Sequence, residues 1–83
     1  MYLTDLIENL VTNTLKEKCI GKRVTFKQMD QMYSFESTTI LCKDVKFCSD
    51  DGDCWIEYID QDGNKYLSAG QGIDIWLEIE NNI

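Results

Sequence analysis

The 83-residue sequence has no histidine and no proline. Without histidine, this chain cannot form a Ser-His-Asp or Cys-His catalytic arrangement, a Cys₂His₂ zinc site or a two-histidine metalloprotease motif. No stretch approaches the roughly 20 apolar residues that cross a bilayer. We therefore expect a binding or structural protein and not an enzyme, with no cofactor, no metal site and no contact with a membrane.

Basic residues are also scarce, and their scarcity is confined to the end of the chain. Residues 1–49 hold six acids and seven bases, whereas residues 50–83 hold nine acids and a single base, Lys65. Affinity for phosphate comes from lysine and arginine, so the acidic half argues against direct binding of nucleic acid. It favours attraction to a basic surface.

The acids of two turns raise the question of a calcium site. Asp50, Asp51 and Asp53 lie in one turn, and Asp60 and Asp62 lie in the next. The strand between them spans roughly 23 Å at about 3.3 Å per residue, so the two groups cannot share an ion. Neither turn has the spacing of the twelve-residue calcium loop. We expect solvated turn acids.

The four cysteines, Cys19, Cys42, Cys48 and Cys54, lack the two-residue gap of zinc knuckles. Cys48 and Cys54 flank a predicted turn, which leaves a cross-strand disulfide or half a metal site open beside the favoured alternative of buried free thiols. The N-terminus carries Asp5 and Glu8 and no basic leader, which is not the pattern of a secretory signal. A cytoplasmic protein with reduced thiols is expected.

One amphipathic helix is predicted at 4–18. Its apolar residues recur at the i, i+3, i+4, i+7 spacing of a single helix face. They are Leu3, Leu6, Ile7, Leu10, Val11, Thr14 and Leu15. Thr4 is the expected N-cap, and Gly21 is the expected stop signal.

The rest of the chain, 22–80, reads as about five short antiparallel strands. Alternation predicts a strand after Gly21, and β-forming residues run from Tyr33 to Phe47. The inward-facing set shifts near Cys42-Lys43, which predicts either a bulge or two short strands. The pair Asp62-Gly63 is the strongest hairpin signal. The clearest strand is 73–80, with an aliphatic face and an acidic face that carries Trp76.

This pattern predicts one α+β domain spanning 1–83, in which the helix precedes a small barrel or a strongly bent sheet. The element order resembles that of SH3-like and Sm-like barrels. The basic residues with which Sm-like proteins contact RNA have no counterpart in the acidic half, so the resemblance implies an architecture and not RNA binding.

Two functions follow as hypotheses. The first is a small acidic binding protein that docks its Trp-bearing strand face on a basic groove of a larger protein, where carboxylates stand in for phosphates. Its size and charge resemble those of phage inhibitor proteins that act on nucleic-acid-handling host proteins. The expected partner-binding residues are Asp74, Trp76, Glu78, Glu80 and Glu57. Trp76 is an anchor if exposed, whereas the side taken by Trp55 is ambiguous. The alternative is a homo-oligomeric small barrel with a structural or ligand-trapping role, joined through its exposed edges.

Overall fold

The structure, a computed structural model, describes residues 2–31, 34–70 and 75–80. One helix precedes a five-stranded antiparallel sheet, so the α+β prediction is confirmed. The sheet order is β4-β3-β2-β1-β5. The elements are α1 (Leu3–Cys19), β1 (Arg23–Phe26), a short 3-10 helix (Met29–Gln31), β2 (Thr38–Asp50), β3 (Asp53–Asp60), β4 (Lys65–Ala69) and β5 (Leu77–Ile79).

The sheet is not closed into a barrel. An isolated bridge between Gln28 and Ser68 brings the chain just beyond β1 back to β4, but within residues 2–31, 34–70 and 75–80 no ladder continues from it. Within β2, the pairing with β3 shifts between Cys42 and Asp44, so of the two predicted alternatives the structure has the bulge in one continuous strand and not two short strands. The shift lets Cys42 and Val45 both face the core although they are three residues apart.

The core lies between the sheet and the second half of α1. Phe26 of β1 stacks on Tyr58 of β3 with ring centroids 4.2 Å apart, and Tyr66 meets the same phenylalanine edge-on at 6.0 Å. Val11 and Leu15 of α1 pack on this cluster. Each of these rings removes a large apolar area from water, so the aromatic cluster contributes to the hydrophobic stabilisation of the fold.

Helix α1 begins earlier than the sequence indicated. Its N-cap is Tyr2 and not Thr4, and the Asp5 carboxylate accepts a hydrogen bond of 3.3 Å from the Tyr2 backbone N–H. At the other end, Gly21 has φ +82°, a conformation that glycine adopts without strain. Its N–H donates to the Cys42 carbonyl at 2.9 Å and so ties the end of the helix to β2.

Two expectations about strands and turns were wrong. β2 begins only at Thr38, because Phe35 lies in a loop with its ring fully exposed; Tyr33 lies outside the described residues. The turn expected at 49–53 is shorter, since β2 and β3 pair as far as Asp50 with Asp53. Asp51 and Gly52 both have positive φ, at 48° and 84°, as a tight two-residue hairpin requires.

Candidate interaction surfaces

β5 and the residue on either side of it carry three of the five side chains predicted to bind a partner. Leu77 and Ile79 pack against the core, while Trp76, Glu78 and Glu80 are exposed. The exposed fraction of Trp76 is 46%, which decides between an exposed and a covered tryptophan. Asp74 lies outside the described residues. Among the residues that the structure describes, no strand pairs with the outer edge of β5.

The neighbouring strand adds a base to this surface. β5 pairs with β1 so that Glu78 lies opposite Thr25, and the Glu80 N–H donates to the Arg23 carbonyl at 2.9 Å. Arg23, Thr25, Glu78 and Glu80 line one shallow depression of about 220 Å³. The β5 face, defined as Trp76, Glu78, Glu80 and Arg23, is therefore acidic but not uniformly so.

Glu57 does not belong to the β5 face. It lies on β3, which β2 and β1 separate from β5, a distance of roughly 14 Å at the usual strand spacing. Its carboxylate is 3.4 Å from the Lys65 ammonium group. The structure therefore brings together three of the five predicted binding residues and places this one elsewhere.

Glu57 lies instead beside the second tryptophan. Trp55 pairs with Ala69 across the β3–β4 ladder, and its half-buried ring lies on the face opposite to the buried Ile56, because side chains alternate along β3. With Met29 and Leu67 it lines a depression of about 550 Å³. The side taken by Trp55, which the sequence left ambiguous, is therefore the outer face of the sheet.

The cysteines are free thiols. Cys48 pairs with Trp55 and Cys54 with Ser49, so the two sulfur atoms point to opposite faces of the hairpin. The geometry does not favour a cross-strand disulfide between them. Burial raises the pKa of the Cys42 thiol from 9.0 to about 11 and also raises that of Cys19, which keeps both thiols protonated at neutral pH. Such thiols are poor nucleophiles.

The acids of the β3–β4 turn are not all solvated, contrary to expectation. Asp60 is buried, and its carboxylate accepts hydrogen bonds from Asp62 N–H, from the backbone and side-chain N–H groups of Asn64, and from the Tyr66 hydroxyl. Burial raises the pKa of Asp60, but these hydrogen bonds outweigh it and hold the pKa below its ordinary value. Asp60 therefore organises the turn.

Sequence reasoning missed a groove between α1 and the β2–β3 turn. It has a volume of about 390 Å³ and is lined by Thr4, Ile7, Phe47, Ser49, Asp50, Asp51, Gly52 and Cys54. A signal for it was present: the apolar stripe of α1 is longer than the core of a small sheet can cover. The apolar stripe alone does not show which helical turns of α1 remain exposed after folding.

The chain matches no family model, no curated protein and no solved structure. Neither helix in the described ranges combines the length and the apolar character that crossing a membrane requires. Within the same ranges, no three histidine, cysteine, aspartate or glutamate side chains are grouped so that they could hold a metal ion. The interaction surfaces are thus the features on which a function can be argued.

Proposed function

We propose that this protein is a small binding protein that docks its β5 face on a basic surface of a larger protein. The observation that carries the proposal is Trp76, a half-exposed indole immediately before the edge strand β5, with Glu78 two residues away. Tryptophan is the residue most enriched among binding anchors because it buries a large area at a small cost in side-chain entropy. The outer edge of β5, which pairs with no strand in the described ranges, adds backbone groups that a partner strand could bond.

Charge supports a basic partner. The net charge of −7 attracts a positive surface over a distance comparable to the Debye length, which speeds encounter. If that surface normally holds nucleic acid, Glu78 and Glu80 would occupy the places of phosphates, as in an inhibitor of the phage type. Because Arg23 is positively charged, the partner would present an acidic or a neutral group opposite it. A cytoplasmic setting, in which the thiols stay reduced, belongs to this proposal.

The chain offers a matched control for the test. Trp76-Leu77-Glu78, at the start of β5, and Trp55-Ile56-Glu57, within β3, present the same two outward side chains at two different places in the sheet. A Trp76→Ala, Glu78→Lys variant should lose its partner in a pull-down from lysate of its source cells, whereas Trp55→Ala, Glu57→Lys should retain it. Thermal melts check that both variants are folded. Retention of every partner by the first variant would show that the β5 face is not the binding site.

The second candidate function is the homo-oligomeric small barrel, favoured by the two edge strands, β4 and β5: in the described part of the chain β5 has no partner on its outer side and β4 has only the Gln28–Ser68 bridge. Edge strands with unpaired backbone groups are templates for pairing between copies. The Gln28–Ser68 bridge supports the related proposal that the sheet is an opened barrel of the SH3-like or Sm-like kind. Light scattering at micromolar concentration separates the candidates, because a binding inhibitor should be a monomer and the barrel assembly a dimer or larger.

A further inference from the structure

The first two turns of α1 present apolar side chains that the fold does not use. Leu3, Leu6, Ile7 and Leu10 are exposed by 71%, 45%, 45% and 59%. Their spacing of i, i+3, i+4, i+7 makes one continuous stripe along the helix. The stripe borders a second row of side chains at i, i+4 spacing, Val11, Leu15 and Cys19, which contact the core. A patch of four large aliphatic side chains on one face is typical of an interaction site.

The groove described above runs beside this stripe, and Ile7 belongs to both. Its two walls are joined by hydrogen bonds. The Glu8 carboxylate accepts the Ser49 N–H at 3.2 Å, and the Thr12 hydroxyl accepts the Phe47 N–H at 3.0 Å. Because these bonds fix the helix against β2, the groove is preformed and a ligand does not bear the cost of opening it. We call the groove and the stripe together the α1 groove.

The charge around the α1 groove has one sign. Asp50 and Asp51 line it, Glu8 bonds to its wall and Asp5 lies in the first helical turn. Of the lining residues that the structure describes, none is basic. A second copy of the chain would bring these carboxylates against one another, and an anionic membrane would be repelled. The complementary occupant has apolar side chains flanked by lysine or arginine.

We propose that the α1 groove binds a basic amphipathic helical segment of a partner protein. Apolar side chains of that segment would pack on Leu3, Leu6 and Ile7, in the manner of a helix laid in a hydrophobic groove. Its cations would pair with Asp50 and Asp51 at the rim. This site is separate from the β5 face, so it goes beyond the function proposed above and stands or falls independently of it.

The test uses a roughly 18-residue peptide of leucine and lysine in helical amphipathic spacing, labelled for fluorescence anisotropy. The full chain should bind it, and a peptide with glutamate in place of lysine should not bind. Backbone amide shifts of the ¹⁵N-labelled chain should change at residues 3–10 and 49–54 and not at 76–80. Asp50→Asn, Asp51→Asn should weaken binding roughly tenfold, since two rim charges are lost. Asparagine tolerates the positive φ of Asp51.

The matched control is Glu78→Gln, Glu80→Gln, which removes two charges from the β5 face and should leave the affinity for the peptide within about twofold. A Leu3→Ser, Leu6→Ser variant should abolish binding and keep its fold, because both side chains are already exposed. Equal weakening by the two charge variants would mean adsorption by net charge and would overturn the proposal. Light scattering that shows a dimer dissolved by the serine variant would overturn it too, because the stripe would then bind a second copy.

Discussion

The Glu8 carboxylate of α1 accepts two hydrogen bonds from Ser49 of β2, one from its backbone N–H at 3.2 Å and one from its hydroxyl at 2.5 Å. One helical turn later, Thr12 makes the equivalent contact with the Phe47 N–H. The β1 ladder ends at Leu41, so this stretch of β2 has no β1 partner on that side. Side chains of α1 thus satisfy backbone groups that a neighbouring strand would otherwise bond.

Replacing Thr12 with valine should therefore destabilise the protein. The hydroxyl accepts the Phe47 N–H at 3.0 Å and lies 3.5 Å from the Phe47 carbonyl, and valine keeps the shape without the hydroxyl. The loss of unfolding free energy should be about 1–2 kcal/mol in a urea titration. Thr14→Val is the control, since its hydroxyl bonds only to Leu10 of its own exposed helix face. Equal losses in the two variants would contradict the role given to Thr12.

Tyr58→Phe should stabilise the protein. The Tyr58 hydroxyl is buried and has no hydrogen-bond partner among the residues that the structure describes, while its ring stacks on Phe26. Removing an unsatisfied hydroxyl and keeping the ring should raise the unfolding free energy by about 1 kcal/mol. Tyr66→Phe makes the same chemical change where the hydroxyl donates to Asp60 at 3.1 Å, and it should destabilise instead. The opposite signs can be read from the two urea midpoints, and a destabilised Tyr58→Phe would contradict the prediction.

Acid should weaken the protein through Asp60. Its pKa is lowered in the folded state, so the folded chain binds fewer protons than the unfolded chain over that range. The stabilisation is complete above the ordinary carboxyl pKa of about 4 and is lost as the pH falls below it. Asp60→Asn should reduce this acid dependence, measured as unfolding free energy between neutral pH and about pH 3. An acid dependence that is the same in Asp60→Asn as in the unchanged protein would contradict this assignment.

Alkali should weaken the protein through the buried thiols. The Cys42 pKa is raised from 9.0 to about 11, so the folded state favours the protonated thiol. The stabilisation is present below pH 9.0 and is lost as the pH rises towards 11. Burial raises the pKa of Cys19 and Tyr58 in the same direction. Cys42→Ala should make the alkaline slope of the unfolding free energy shallower, and an unchanged slope would contradict the assignment.

Local patterns predicted the helix and most of the strands well. The 3.6-residue period indicated α1, and the alternation predicted over 73–80 separated the packed Leu77 and Ile79 from the exposed Trp76 and Glu78. Within the described residues the strand itself is shorter than predicted, Leu77–Ile79. The sequence also indicated an irregularity in β2, because the inward-facing residues change from even-numbered to odd-numbered positions between Cys42 and Val45. These features depend on residues close together in sequence, where periodicity is the dominant signal.

The assembly of the surfaces was not predictable in the same way. Arg23 joins Glu78 and Glu80, and Glu57 is kept away from them, because of the order in which strands pair. The α1 groove depends on where the sheet ends beneath the helix. Strand order and sheet extent are set by contacts between distant segments, which alternation within one strand does not encode. A single sequence therefore indicated which side chains face outward, but not which of them are neighbours.

The extra residue of β2, Lys43, affects how strongly the strand bends and not which face of the sheet the other side chains take. With Cys42 opposite Asp60 and Asp44 opposite Ile59, deleting Lys43 would leave an unbroken ladder in which every other side chain keeps its present face. What would be lost is the local coiling of β2 that a bulge introduces. A straighter β2 would move β3 and β4 away from β1 and separate Gln28 from Ser68. At this point the number of residues, more than their identity, determines how far the sheet curls.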